Sequence, residues 1–157
     1  MTDIPPGPPA PRWTHVALPS SDIEASVDWY TTFTPLEVLA RHQDDDGMNA
    51  WLSHPGATTT PFVLVLVMFH AEAGTPHPQL APFAHLGIEL PSRNDVDDVA
   101  RRGADADCLV WEARQLPAPV GYVCALSDPD GNVIEFSYDQ GVYAAVAERW
   151  GIQGGQG

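Results

Sequence analysis

The chain has 157 residues, a formal net charge of −14 and no lysine, since all seven basic residues are arginines. This acidic balance argues against nucleic acid or a membrane surface as a partner, because both require a dense basic surface. The length suits one compact domain, and no apolar run reaches the roughly 18 residues that cross a bilayer. The first residues lack the apolar segment of a secretory signal, so we expect a cytoplasmic protein.

A near-repeat organises the sequence. Residues 13–20 read Trp-Thr-His-Val-Ala-Leu-Pro-Ser. Residues 83–92 have the similar sequence Phe-Ala-His-Leu-Gly-Ile-Glu-Leu-Pro-Ser. The two histidines, His15 and His85, are 85 − 15 = 70 positions apart. Self-similarity at a fixed period indicates a duplicated structural unit, so we expect two modules of the same build.

Each copy is predicted to be a strand followed by a helix and three more strands. In the first copy, Ser21 or Asp22 caps a helix that ends near Phe33. In the second, Ser92 or Asn94 caps a helix that Gly103 is expected to stop. The following strands are predicted at residues 36–42, 48–53 and 62–69, and at 106–112, 120–126 and 132–138. The pattern therefore predicts an α+β fold made of two tandem βαβββ modules.

We predict one domain overall, made of five consecutive parts. They are a flexible proline-rich tail (1–12), the first module (13–70), a linker (71–82), the second module (83–139), and a C-terminal helix, Val142 to Trp150, with a flexible tail (140–157).

Three separated residues are candidate metal ligands. Side chains alternate along a strand, so His15 and His85 lie opposite the continuous apolar face of each first strand. In the last strand, Glu135 points away from the bulky face made by its neighbours. A buried carboxylate costs several kcal/mol unless a cation or hydrogen bonds compensate, and two imidazoles with one carboxylate are a common open metal site.

Each of these residues also has an ordinary interpretation. A lone strand histidine is more often a core or surface residue than a ligand, and Glu135 alone could be solvated on an exposed sheet face. The joint metal hypothesis depends on the equivalent repeat positions of His15 and His85, together with a glutamate in the closing strand.

Three motifs resemble the vicinal oxygen chelate superfamily, which includes glyoxalase I, bleomycin-binding proteins and extradiol dioxygenases. They are Thr14-His15-Val16, His85-Leu86-Gly87 and the hairpin of residues 128–136, Asp-Pro-Asp-Gly-Asn-Val-Ile-Glu-Phe. The resemblance covers about residues 13–138. It implies an eight-stranded, cup-shaped mixed sheet with helices outside. It also implies metal ligands from the first, fifth and eighth strands, which match His15, His85 and Glu135.

The resemblance leaves the chemistry open. A glyoxalase I normally carries a further ligand on the fourth strand, where this chain has an apolar run around Val63 and Val65. A three-ligand site resembles the extradiol dioxygenases, yet these have a tyrosine in the seventh strand where this chain has Ala125. Tyr122 lies nearby and is a candidate for reaching the substrate. His70, at the end of the fourth strand, is a candidate general base, although an ordinary surface residue before the linker is the favoured interpretation.

We therefore expect a metal-dependent enzyme that binds two neighbouring oxygens of a small organic substrate. Dioxygenase-like chemistry is slightly favoured, with a glyoxalase-type lyase or isomerase, or a non-catalytic drug-binding protein, as alternatives. The expected cofactor is a divalent metal ion, Fe²⁺ ahead of Mn²⁺, Ni²⁺ or Zn²⁺. Related folds commonly dimerise, so a homodimer is expected, with the modules pairing either within one chain or between chains.

Overall fold

The computed structural model describes residues 14–56, 62–79 and 84–150. The predicted tails at 1–12 and 151–157, and part of the predicted linker, lie outside the described residues. The elements in chain order are β1 (His15–Pro19), α1 (Ile23–Phe33), β2 (Glu37–Gln43), β3 (Gly47–Ser53), β4 (Val63–Phe69), β5 (His85–Glu89), α2 (Arg93–Asp105), β6 (Leu109–Leu116), β7 (Gly121–Ser127), β8 (Val133–Tyr138) and α3 (Val142–Trp150).

The chain divides into two compact units between Thr75 and Pro76, called unit 1 and unit 2 below. Each unit contains one βαβββ module with its own four-stranded mixed sheet. The predicted fold class is therefore confirmed. None of the described helices is long and apolar enough to span a membrane. The exact boundaries proposed for the tails, modules and linker stay predictions.

In unit 1 the strand order is β1-β4-β3-β2, with β1 and β4 parallel and the other pairs antiparallel. Asp22 caps α1 by accepting a hydrogen bond from the backbone N–H of Ala25 at 3.1 Å. The helix packs on β2, β3 and β4. The core is formed between these layers by residues that are at most 6% exposed: Leu18, Ile23, Val27, Tyr30, Ala50, Leu52, Leu64 and Leu66.

Unit 2 repeats this plan with the order β5-β8-β7-β6, in which β5 and β8 are parallel. Ser92 caps α2 by accepting from the backbone N–H of Asp95 at 3.2 Å. The helix packs on β6, β7 and β8. Its apolar stripe meets one face of the sheet, and the buried residues there are Val96, Val99, Ala100, Cys124, Leu126, Ile134 and Phe136.

The end of α2 differs from the prediction. The helix does not stop at Gly103 but continues to Asp105. Gly103 is buried within it, where an added Cβ would collide with the Leu126 side chain, so this glycine allows close packing and does not end the helix. The reversal follows at Asp107, whose φ of +55° is left-handed, and the backbone N–H of Cys108 bonds Gly103 O at 2.9 Å. The following strand, β6, consequently starts at Leu109 rather than near residue 106.

Candidate functional site

His85 and Glu135 meet on the sheet face of unit 2 that α2 does not cover. The parallel register of β5 and β8 aligns His85 with Val133 and Gly87 with Glu135. The two side chains therefore project side by side, and His85 Nε2 lies 3.7 Å from Glu135 Oε2. This separation is longer than a hydrogen bond, so the two groups face each other across a gap.

Glu135 is a buried carboxylate, with only 7% of the residue exposed. Its Oε1 accepts a hydrogen bond from Gln140 Nε2 at 3.1 Å. Its Oε2 faces His85. A carboxylate taken out of water needs more compensation than one neutral donor supplies, so its surroundings are chemically suited to a cation.

The polar strip continues along this face towards the ends of β5 and β8. Glu89 Oε1 accepts from the backbone N–H of Gln140 at 3.0 Å, so one residue contacts both glutamates. Ser137, two residues after Glu135 and 1% exposed, has a hydroxyl with no hydrogen-bond partner among the described residues. An orphaned hydroxyl and a buried carboxylate on one face indicate a site that binds a polar ligand, an ion or water.

The apolar neighbours of this pair leave room on one side and close the other. Ala125 on β7 is aligned with Glu135, and its methyl group occupies little of the space beside the carboxylate. An added Cβ at Gly87 would meet nothing within 4 Å, so the space beside Glu135 on β5 is open. Trp111 on β6 lies edge-on to His85, with ring centroids 5.7 Å apart, and restricts the orientation of the imidazole.

Unit 1 carries the third predicted ligand at the edge of an apolar hollow. His15 Nδ1 lies 2.9 Å from Thr14 Oγ1, a contact that orients the ring and leaves Nε2 as the nitrogen directed to other partners. The hollow has a volume of about 280 Å³. It is lined by Thr14, His15, Ala17, Trp51, Val63 and Val65. It suits the apolar portion of a small molecule.

His85 and Glu135 match part of a metal site. Among the described residues of either unit, no three His, Cys, Asp or Glu side chains are close enough to hold an ion by themselves. Two ligands of one divalent ion lie roughly 3.0–3.4 Å apart, so the 3.7 Å gap requires only a small adjustment. Mixed nitrogen and oxygen donors suit iron, manganese, nickel or zinc. The complete triad with His15 stays a prediction.

Comparison with known proteins identifies the family. The model of the Glyoxalase/Bleomycin resistance protein/Dioxygenase superfamily matches residues 12–136. The chain belongs to this superfamily. One relative is the uncharacterized protein PA2024 of Pseudomonas aeruginosa, which is 39% identical over 132 residues, or 83% of this chain and 91% of the relative.

Solved structures of the superfamily share this fold across proteins of different function. The trypanothione-dependent glyoxalase I of Leishmania major matches with a TM-score of 0.70 and 18% identity, over 89% of this chain and 98% of that one. TnmS3, an antibiotic binding protein from Streptomyces sp. CB03234, matches with a TM-score of 0.59 and 22% identity, over 84% and 98%. At such identities both likenesses show the fold alone.

The two other sequence candidates, His70 in unit 1 and Tyr122 in unit 2, each have a structural partner within their own unit. His70 is exposed at the start of the 3-10 turn His70–Glu72, where its Nε2 lies 3.3 Å from Asp44 O. This contact ties His70 to the β2–β3 turn. Tyr122 lies on the opposite face of the unit 2 sheet, where its hydroxyl donates to Asp97 Oδ1 at 2.6 Å. Their catalytic roles stay predictions, since both side chains have structural partners.

Two side chains on the helix-covered face of unit 2, Tyr122 and Cys124, have raised pKa values. The hydrogen bond to Asp97 raises the pKa of Tyr122, and burial raises it further. The guanidinium of Arg93 lies over the Tyr122 ring at 3.9 Å and acts in the opposite direction. Burial raises the pKa of Cys124 to about 12, with smaller contributions from the charges of Asp97 and Glu135. Cys124 is therefore an inert core thiol.

Three residues that contribute to the site were missed from the sequence. Gln140 follows the last strand, outside every superfamily motif that the sequence displays. Trp51 and Trp111 are strand tryptophans on the sheet faces that carry the predicted ligands His15 and His85. The alternation of β3 and β6 could have assigned the tryptophans to a face. No sequence pattern signals Gln140, because its contact depends on a loop that turns back over the strand.

Proposed function

We propose that this protein is a metal-dependent enzyme that uses His15, His85 and Glu135 to bind one divalent ion. The observation that carries the proposal is the buried Glu135 carboxylate, which faces His85 Nε2 at 3.7 Å on the sheet face opposite α2. A bound divalent ion would act as a Lewis acid towards two neighbouring oxygens of a substrate. His15 is included because it occupies the position of unit 1 that is equivalent to His85.

Dioxygenase-like chemistry is favoured over a glyoxalase-type reaction. Val65 occupies the unit 1 position that corresponds to Glu135, so that strand offers neither a fourth ligand nor a carboxylate to move a proton. A three-ligand set leaves more coordination positions for substrate oxygens and a second reactant. The hollow beside His15, walled by Trp51, Val63 and Val65, suits a substrate with an apolar or aromatic body.

The second candidate is a binding protein that sequesters a small molecule without transforming it. The apolar hollow of unit 1 favours it, because such a surface binds ligands with no metal. Glu135 argues against it, since apolar binding alone gives no reason to bury a carboxylate beside an imidazole. A homodimer and a cytoplasmic location remain predictions from the sequence.

Metal analysis of the wild type and of Glu135→Gln tests the proposal. The wild-type protein should bind about one divalent ion per site. The substitution removes the charge but keeps the shape, so we expect metal affinity to fall about 100-fold or more while the metal-free protein keeps its stability. Glu112→Gln is the matched control, because Glu112 is exposed on β6. A wild type that binds a ligand tightly without metal, and equally after Glu135→Gln, would favour the binding protein.

Activity assays separate the two chemistries. A dioxygenase should consume oxygen with catechol substrates and lose this activity under anaerobic conditions. A glyoxalase-type lyase should convert thiol hemiacetals at the same rate with or without oxygen. Oxygen-independent turnover of a thiol hemiacetal would therefore overturn the dioxygenase preference and keep the metal site.

A further inference from the structure

A single residue, Gln140, contacts both carboxylates on the uncovered face of unit 2. Its side-chain Nε2 donates to Glu135 Oε1 at 3.1 Å, and its backbone N–H donates to Glu89 Oε1 at 3.0 Å. An ionised carboxylate only accepts hydrogen bonds, so the amide must present its NH₂ group to Glu135. The carboxylate is thereby held through one oxygen.

The loop that carries Gln140 is fixed on both sides. Asp139, directly after β8, has a left-handed φ of +58°, which turns the chain back over the strand it has just left. The next residue, Gly141, donates its backbone N–H to Pro119 O at 2.8 Å. An added Cβ on Gly141 would lie 3.0 Å from Pro119 Cβ, so the loop packs closely there. The Gln140 side chain is thus directed towards Glu135 by its backbone.

We propose that Gln140 is a positioning residue for the metal ligand Glu135, and this inference rests on the proposed metal-dependent function. With Oε1 occupied by the amide, Oε2 is the oxygen directed towards His85 Nε2 at 3.7 Å. The amide limits rotation of the carboxylate and favours binding of an ion through one oxygen. Hydrogen bonds of this kind to metal ligands typically change metal affinity by about 10–100-fold.

Gln140 also bridges two carboxylates of like charge. Glu89 is aligned with Ser137 and Glu135 with Gly87, so both carboxylates lie on the same face of adjacent strands. The donors of Gln140 stabilise both without adding charge to the site. A glutamate at this position would keep the length of the side chain, remove the donor and add a third carboxylate.

The test uses the full chain, stripped of metal and titrated with Co²⁺, whose visible absorption reports ligand geometry. We expect Gln140→Met to weaken Co²⁺ binding about 10–100-fold and to shift the absorption bands, because Glu135 loses its orienting donor. Gln140→Glu should weaken binding at least as much. Gln115→Met is the matched control, since the Gln115 side chain is exposed and bonds the carbonyl of Leu116, so its loss should leave Co²⁺ affinity unchanged.

The outcomes distinguish this inference from the proposed function. Wild-type binding that Glu135→Gln abolishes but Gln140→Met leaves unchanged would keep the metal site and overturn the role of Gln140. Lower stability of metal-free Gln140→Met with an unchanged Co²⁺ affinity and spectrum would assign it a merely structural role, which also overturns the inference. Failure of the wild type to bind Co²⁺ or any other divalent ion would overturn both.

Discussion

The two sheets share one backbone plan and differ in the side chains placed on it. In unit 1, His15 is aligned with Val63 and Ala17 with Val65. In unit 2, His85 is aligned with Val133 and Gly87 with Glu135. Each of these four residues lies 70 positions after its counterpart in unit 1. A valine in unit 1 therefore stands where unit 2 has the buried carboxylate of Glu135.

The neighbouring strand differs in step with that substitution. Trp51 is aligned with Val65 in unit 1, whereas Ala125 is aligned with Glu135 in unit 2. A large indole beside a valine builds an apolar wall, while a methyl group beside a glutamate leaves space for the carboxylate and its partners. On the sheet faces opposite the helices, the two units therefore differ at paired positions on adjacent strands.

The largest effects are expected on the helix-covered sheet faces, which the two units build in the same way. Leu66 and Phe136 occupy equivalent positions under the helices and are at most 1% exposed. Leu66→Ala should lower the free energy of unfolding by about 2–5 kcal/mol and Phe136→Ala by about 3–5 kcal/mol, because each leaves a cavity. Urea denaturation measures both. Leu39→Ala, at a side chain that is 61% exposed, should change stability by less than about 0.5 kcal/mol.

An intermediate effect is expected when a carboxylate is introduced into unit 1 at the position equivalent to Glu135. Val65→Glu places a carboxylate beside Trp51, and the position equivalent to Gln140 holds His70, whose Nε2 already contacts Asp44 O, so the metal-free protein should lose about 1–3 kcal/mol of stability. Val110→Glu is the control, since Val110 is 44% exposed on β6. Equal stability of Val65→Glu and wild type would show that unit 1 accommodates an acid as well as unit 2 does.

The smallest effect concerns the hydrogen bond between Tyr122 and Asp97 on the helix-covered face of unit 2. Tyr122→Phe removes the hydrogen bond to Asp97 and should cost about 0.5–1.5 kcal/mol without changing metal affinity. Because the folded state raises the pKa of Tyr122, its contribution is present below pH about 10 and is lost as the pH rises further. The wild type should therefore lose more stability than the variant above pH 10, as unfolding at a series of pH values will measure. A loss of metal affinity in Tyr122→Phe would instead support a role for Tyr122 in the site.

The repeat, the alternation of faces and the turn residues were sufficient to predict the fold from the sequence. These signals are local, because the strand period and the helix caps at Asp22 and Ser92 depend on neighbouring residues. The end of α2 was predicted wrongly, because Gly103 serves close packing against Leu126 and does not end the helix, and Leu126 lies far away in sequence.

The sequence predicts which strand faces carry the residues of the candidate site, but it does not predict the contacts of the loop that follows β8. The faces of His85 and Glu135 follow from alternation, and the structure brings these two together. The role of Gln140 depends on the left-handed Asp139 and on two distant hydrogen-bond acceptors, and no periodic pattern encodes such a loop. Tyr122 was a sequence candidate for substrate contact, but its strand register directs it to the helix side.

The parallel pairing of β5 with β8 has a consequence for folding kinetics. His85 and Glu135 are separated by 135 − 85 = 50 residues, and every other element of the module lies between them. Bringing them together closes a long loop, and contacts of such sequence separation form slowly because the entropy of closure is lost before the contact contributes. Acquisition of metal affinity during refolding should therefore be a late event, which makes it a reporter of the completed module.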